Sequence, residues 1–158
     1  MLDIKILAVS KMKNRQLNNL AEEYLKRLKP FARVKVIELA SFSFTDKNKE
    51  AAKNFESEKI QEYLDKEEKK GNNNYDIYLL AERGKEFSGS IELANWLNKK
   101  NPLILIIGGS LGFSDLMYEK YPQISLSSLT YPHELARVIL LEQLYRATTI
   151  INKKEYHY

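Results

Sequence analysis

The spacing of hydrophobic positions along this 158-residue chain changes several times, and each change marks an element. Residues 4–9 are a compact apolar run with one charge, short enough for a buried strand. After a polar turn, Leu17, Leu20, Ala21, Tyr24, Leu25 and Leu28 recur at helical spacing with charged and amide side chains between them. That pattern predicts an amphipathic helix ended by Pro30. Residues 34–39 read as a second strand. From 47 to 70, Ala52, Phe55, Ile60, Tyr63 and Leu64 sketch a longer, highly charged helix, closed by Gly71 and three asparagines. A third strand spans 77–81, with Glu82, Arg83, Gly84 and Lys85 as the loop after it. A helix over 90–99 follows, which Ser88 or Ser90 can cap. Residues 103–107 have no polar side-chain atom, as expected of a strand buried on both faces of a parallel sheet. A Gly-rich turn, a short helical stretch and a brief strand near 124–126 come next. Pro132 opens a last helix that runs to about Asn152.

Strands alternating with helices predict an α/β fold, a mainly parallel sheet with helices on both faces, in a single domain over 1–158. The last helix is apolar on far more than one stripe: Leu135, Ala136, Val138, Ile139, Leu140, Leu141, Leu144, Tyr145, Ala147, Ile150 and Ile151. One sheet face cannot bury all of these. Either a neighbouring helix or a second subunit must cover the remainder, and in so small a chain a homodimer is the expected cover.

Composition removes whole classes of chemistry. There is no cysteine, hence no disulfide framework, Cys-ligated metal or thiol nucleophile, and with only His133 and His157 a metal site is not expected. Asp3 and Lys5 interrupt the amino-terminal apolar run, so neither a signal peptide nor a membrane span is expected and the protein reads as cytoplasmic. The net charge of +4 is unevenly spread: residues 1–35 hold nine basic and three acidic side chains, residues 46–70 seven basic and eight acidic. Such a bias is either a solvated helix face or a local footprint for a polyanion.

In open α/β sheets ligands bind beyond the carboxyl ends of the strands. Four segments are predicted there: 10–15, 80–85, the glycine turn at 108–112 and the hydroxyl-rich loop 127–131. The glycine turn is neither a dinucleotide fingerprint nor a P-loop, since its spacing is GGxxG and no Gly-Lys-Ser/Thr follows. The loop of Ser127, Ser128, Leu129, Thr130 and Tyr131 offers apolar walls and backbone hydrogen bonds that suit an adenosine, although by itself it reads first as a capping loop before the last helix. His133 and Arg137 share a helical face, where a structural hydrogen bond is the expected role.

An ordered series of residues then resembles a known family. A strand ending in Ile-Gly-Gly-Ser, the Leu-Ser-Ser-Leu-Thr-Tyr-Pro-His loop, Arg137-Val138 with Glu142-Gln143-Leu144-Tyr145-Arg146-Ala147, and a terminal Tyr156-His157 closely resemble the RlmH family, small SPOUT-class methyltransferases of bacterial 23S rRNA. The resemblance implies an α/β knot with a carboxyl-terminal trefoil. It also implies S-adenosyl-L-methionine-dependent methylation of N3 of pseudouridine 1915, in helix 69 of 23S rRNA, on the assembled ribosome. Carried over residue by residue, the cofactor contacts are Leu80, Gly108, Leu126, Ser127, Ser128, Leu129, Thr130 and Tyr131. The family is homodimeric with a composite site, in which Arg146, Tyr156 and His157 are the implied catalytic residues. Lys11, Lys13 and Arg15 lie at the same predicted sheet edge and are expected to bind rRNA. Three positions depart from the family pattern: Ser10 where Gly is usual, Ala81 where an acid is frequent, and Tyr158 where a basic residue follows the Tyr-His pair. Two other readings stay open, a SPOUT enzyme acting on tRNA and a non-catalytic ribosome-binding module.

Overall fold

A computed structural model describes residues 1–71 and 74–156. The chain runs β1 (Leu2–Val9), α1 (Arg15–Leu28), β2 (Ala32–Leu39), α2 (Lys49–Lys69), β3 (Asp76–Lys85), α3 (Ser90–Asn98), β4 (Leu103–Ile107), α4 (Asp115–Lys120), β5 (Gln123–Ile124) and α5 (His133–Ile151). The five strands form one sheet in the order β2-β1-β4-β3-β5, and every pairing is parallel. As the absence of polar side chains requires, β4 lies at the centre, its five residues all buried.

Alternation along the strands sorts two cores. Ile4, Ile6, Ala8, Leu103, Leu105 and Ile107 face Ala21, Leu28, Leu97, Leu141 and Leu144, contributed by α1, α3 and α5. On the other face Leu7, Val9, Leu79, Ile104 and Ile106 meet Ile60, Leu64, Phe113 and Met117, from α2, α4 and the turn before α4. Asn14 starts α1 by accepting the Leu17 N–H at 3.0 Å.

The structure corrects two local expectations. Residues 82–85 are not a free loop: β3 continues to Lys85, which pairs with Ile124 after a register shift beyond Leu80. The cause is Gly84, where a Cβ would stand 2.6 Å from the Ile124 backbone, so only glycine lets the two strands approach this closely. Neither serine caps α3; its N-cap is Gly89, while the Ser88 N–H and hydroxyl both donate to the Glu92 carboxylate.

Helix α5 is covered in large part from within the chain, because it packs against both α1 and α3. Val138, Leu140, Leu141, Leu144, Ala147, Thr148 and Thr149 are buried along it. Leu135, Ile139, Glu142 and Arg146, spaced at three and four residues, form a half-buried stripe. Among the described residues no helix is long and apolar enough to cross a membrane, and no cluster of His, Asp and Glu has metal-binding geometry.

Candidate active site

The carboxyl ends of β3 and β4, the glycine turn and the loop before α5 enclose a cleft of about 560 Å³. Its walls are mainly apolar or backbone: Leu80, Ile107, Leu126, Leu129, Tyr131 and Ala136, with Gly108 and Gly109 on the turn. Both size and character are those of a small-molecule site. Of the residues carried over as cofactor contacts, Leu80, Gly108, Leu126, Ser127, Leu129, Thr130 and Tyr131 line this cleft, whereas Ser128 is exposed and does not. The loop holds its own shape. Ser125 Oγ donates to the Ser127 carbonyl at 2.7 Å and accepts the Ser127 N–H at 3.2 Å, and Ser127 Oγ accepts the Leu129 N–H at 3.0 Å. The glycine turn is equally constrained: Gly112 has φ +74°, and a Cβ on Gly108 would stand 3.1 Å from the Phe113 ring.

Beside the cleft, the first turn of α5 anchors the basic segment after β1. Glu134 accepts the N–H groups of Lys13 and Asn14, and its carboxyl lies below the usual range because of those bonds, the Asn14 bond foremost. Arg137, 4% exposed, donates to Glu38 at 2.6 Å and to the Ser10 carbonyl at 3.0 Å. Burial alone would raise the Glu38 carboxyl, but Arg137 and the Met12 N–H hold it below its ordinary value. Lys11, Lys13 and Arg15 are exposed on this pinned segment. Ser10 has φ +81°, the left-handed region, which gives a physical reason for glycine at that position. His133 lines the cleft, in place of the purely structural role its spacing suggested.

Arg146 and Tyr156 are elsewhere. Neither lines the cleft, and Arg146 lies thirteen residues beyond His133 on α5, about 20 Å along the axis. Its guanidinium donates twice to Glu142 Oε1, at 3.0 and 2.6 Å, and stands 5.1 Å from the Tyr156 ring centroid. Glu142 thereby raises the Arg146 pKa, leaving a permanent, oriented cation. Tyr156 packs edge-on to Tyr145 at 4.7 Å. Burial first, then hydrogen bonding to Tyr24, pushes its phenol up to about 12, so it stays protonated at neutral pH and serves as a donor, not a base. His157 and Tyr158 lie outside the described residues.

Several cleft residues escape the sequence reading. Phe113, Tyr118 and Ala136 line it, beside Glu82 of the predicted 80–85 segment. Arg83, exposed, stacks 3.5 Å over the Tyr118 ring. Glu56 is 6% exposed and abuts Gly109 from behind. The signal for Glu56 was present: it falls in the series Ala52, Glu56, Ile60, Leu64, the buried stripe of α2.

The sequence profile of the family described as "Predicted SPOUT methyltransferase" matches residues 2–157, and the chain belongs to that family. Within it, the chain is similar along its whole length to proteins named ribosomal RNA large subunit methyltransferase H. It is 35% identical to the Kosmotoga olearia protein over 163 residues, covering 99% of this chain and 100% of the relative. It is 39% identical to the Carboxydothermus hydrogenoformans protein over 166 residues, covering 99% of each. Among solved structures, a probable methylase family protein from Haemophilus influenzae superposes with a TM-score of 0.52 over 97% of this chain and 68% of the other, at 15% identity, a likeness of fold. As a SPOUT methyltransferase the chain uses a methyl donor.

Proposed function

We propose that this chain, a single domain over 1–158, transfers a methyl group from S-adenosyl-L-methionine to N3 of pseudouridine 1915 in helix 69 of 23S rRNA. It acts on the assembled ribosome, in the cytoplasm and as a homodimer. The name shared by its full-length relatives supports the large-subunit rRNA as substrate. The donor set of the cleft fits the cofactor: apolar walls for a flat base, and the hydroxyls of Ser127 and Thr130 for its polar edge. When bound there, S-adenosylmethionine supplies a methyl group already activated on a sulfonium.

The observation that carries the dimeric reading is the distance between the cleft and Arg146. The half-buried stripe of α5 runs from apolar Leu135 and Ile139 to Glu142 and Arg146. Two such helices packed antiparallel about a centre near residue 141 bring Arg146 of one protomer beside the partner's Ala136, which lines the partner's cleft. The composite site then holds a cation against the carbonyl oxygens of the target base. There Arg146 stabilises the negative charge that develops as N3 loses its proton, and Tyr156 orients the guanidinium. Because the Tyr156 phenol remains protonated, His157 or solvent accepts that proton. Threading of the carboxyl-terminal segment as a trefoil knot is part of the same reading, supported by family membership.

Labelled S-adenosylmethionine, incubated with ribosomes from cells lacking the modification, is expected to label 23S rRNA at one nucleotide. Label confined to tRNA would transfer the reading to another SPOUT activity, and ribosome binding without transfer would make the chain a non-catalytic module.

A further inference from the structure

Between β2 and α2 the chain exposes two phenylalanines, Phe42 at 37% and Phe44 at 40%, within a segment otherwise of small or polar residues. The Phe42 ring rests against Phe55, centroids 5.2 Å apart, so one ring face has a firm backing while the side chain stays partly in water. Its backbone N–H donates to Glu56 Oε1 at 3.2 Å. The other oxygen of that carboxylate is buried without a hydrogen-bond partner among the described residues and stands 2.5 Å from the Cβ position of Gly109. Burial pushes the Glu56 carboxyl up, against the Phe42 N–H. One side chain therefore touches both the aromatic segment and the glycine turn of the cleft, and it sets the spacing between them. The opposite flank is basic: β1 and β2 pair along their whole length and the Ser10 N–H bonds the Leu39 carbonyl, which places the loop of Lys11 and Lys13 beside the loop of Phe42.

We propose that Phe42 and Phe44 form a stacking platform for an unpaired base of the RNA substrate next to the target nucleotide, with Glu56 holding the platform in register with the cleft. The inference rests on the rRNA methyltransferase reading and adds a recognition element to it. Two part-exposed rings two residues apart in the chain offer far less surface than a protein interface needs, and each matches a nucleobase in size. The neighbouring cations suit the phosphates of a single-stranded loop.

The test is steady-state methylation of assembled ribosomes lacking the modification, with paired substitutions at Phe42 and Phe44. Replacing both by Ala is expected to raise the KM for ribosomes about tenfold to a hundredfold, the scale of losing one base stacked on an aromatic ring. The effect falls on KM; kcat at saturating ribosomes and affinity for S-adenosylmethionine hold, while loss of the Phe42 contact with Phe55 lowers the thermal midpoint modestly. Tyr at both positions restores the low KM and Leu does not. The salt dependence of KM keeps its slope, whereas neutralising Lys11 and Lys13 flattens it. A double Ala variant with unchanged KM would overturn the platform, and so would recovery by Leu, the signature of a merely apolar contact with protein. Absence of methyl transfer by the unsubstituted enzyme would instead overturn the reading on which the platform rests.

Discussion

Helix α5 carries two functional regions of opposite character at its two ends. At the His133 end it closes a cleft built from backbone and apolar surface, whose shape is set by serine hydroxyls and glycines. At the Arg146 end a cation, its Glu142 partner and a cluster of tyrosines pack together, about 20 Å along the helix from that cleft. In the proposed reading the first region binds the cofactor and the second supplies the charge. With S-adenosylmethionine as the proposed donor the methyl group arrives already activated, so the protein need supply only alignment and a counter-charge. In the proposed dimer the two tasks, separated along one helix, are united by pairing two copies.

The largest expected effect is at the cation. Arg146→Ala should lower kcat by about a hundredfold, the size of losing one preorganised charge-stabilising group, with affinity for S-adenosylmethionine by calorimetry unchanged. Arg146→Lys keeps the charge but loses the fork to Glu142, and should fall between the two. If Arg146→Ala instead abolished cofactor binding, the division between the two regions would be wrong. At the other end, Ser127→Ala removes the acceptor for the Leu129 N–H. That loss of about 1 kcal/mol should weaken cofactor affinity roughly fivefold and leave kcat at saturation alone. Smallest is Ser10→Gly, which relieves a left-handed backbone next to the basic segment. It should stabilise the fold by about 0.5–1 kcal/mol, a rise of roughly 2 °C in Tm by calorimetry, and move neither kinetic parameter.

The sheet and its central strand were legible because burial writes itself into composition: 103–107 could be nothing else. What escaped depends on pairs of distant backbones. Gly84 in the sequence looks like loop punctuation, and only the proximity of Ile124 shows that it lets β3 and β5 meet. The excess apolarity of α5 was visible, but periodicity could not apportion it between α1, α3 and a second copy. For the site, the resemblance carried what spacing alone could not, since hydroxyl loops and glycine pairs are common. Seven of the eight cofactor positions it implied meet in one cleft. Glu56 and Phe42 were missed because their meaning lies in what they touch: a glycine turn and a carboxylate.

The central claim, that a cleft in one protomer works with the cation of its partner, is tested most directly by complementation. A Gly108→Val chain, folded but unable to bind S-adenosylmethionine, is mixed after dissociation with an Arg146→Ala chain, each inactive alone. Random pairing makes half the dimers mixed, and each mixed dimer holds one site with an intact cleft and an intact cation, so roughly a quarter of wild-type activity should return. Mixed dimers that form but recover no methyl transfer would contradict a site shared between two copies.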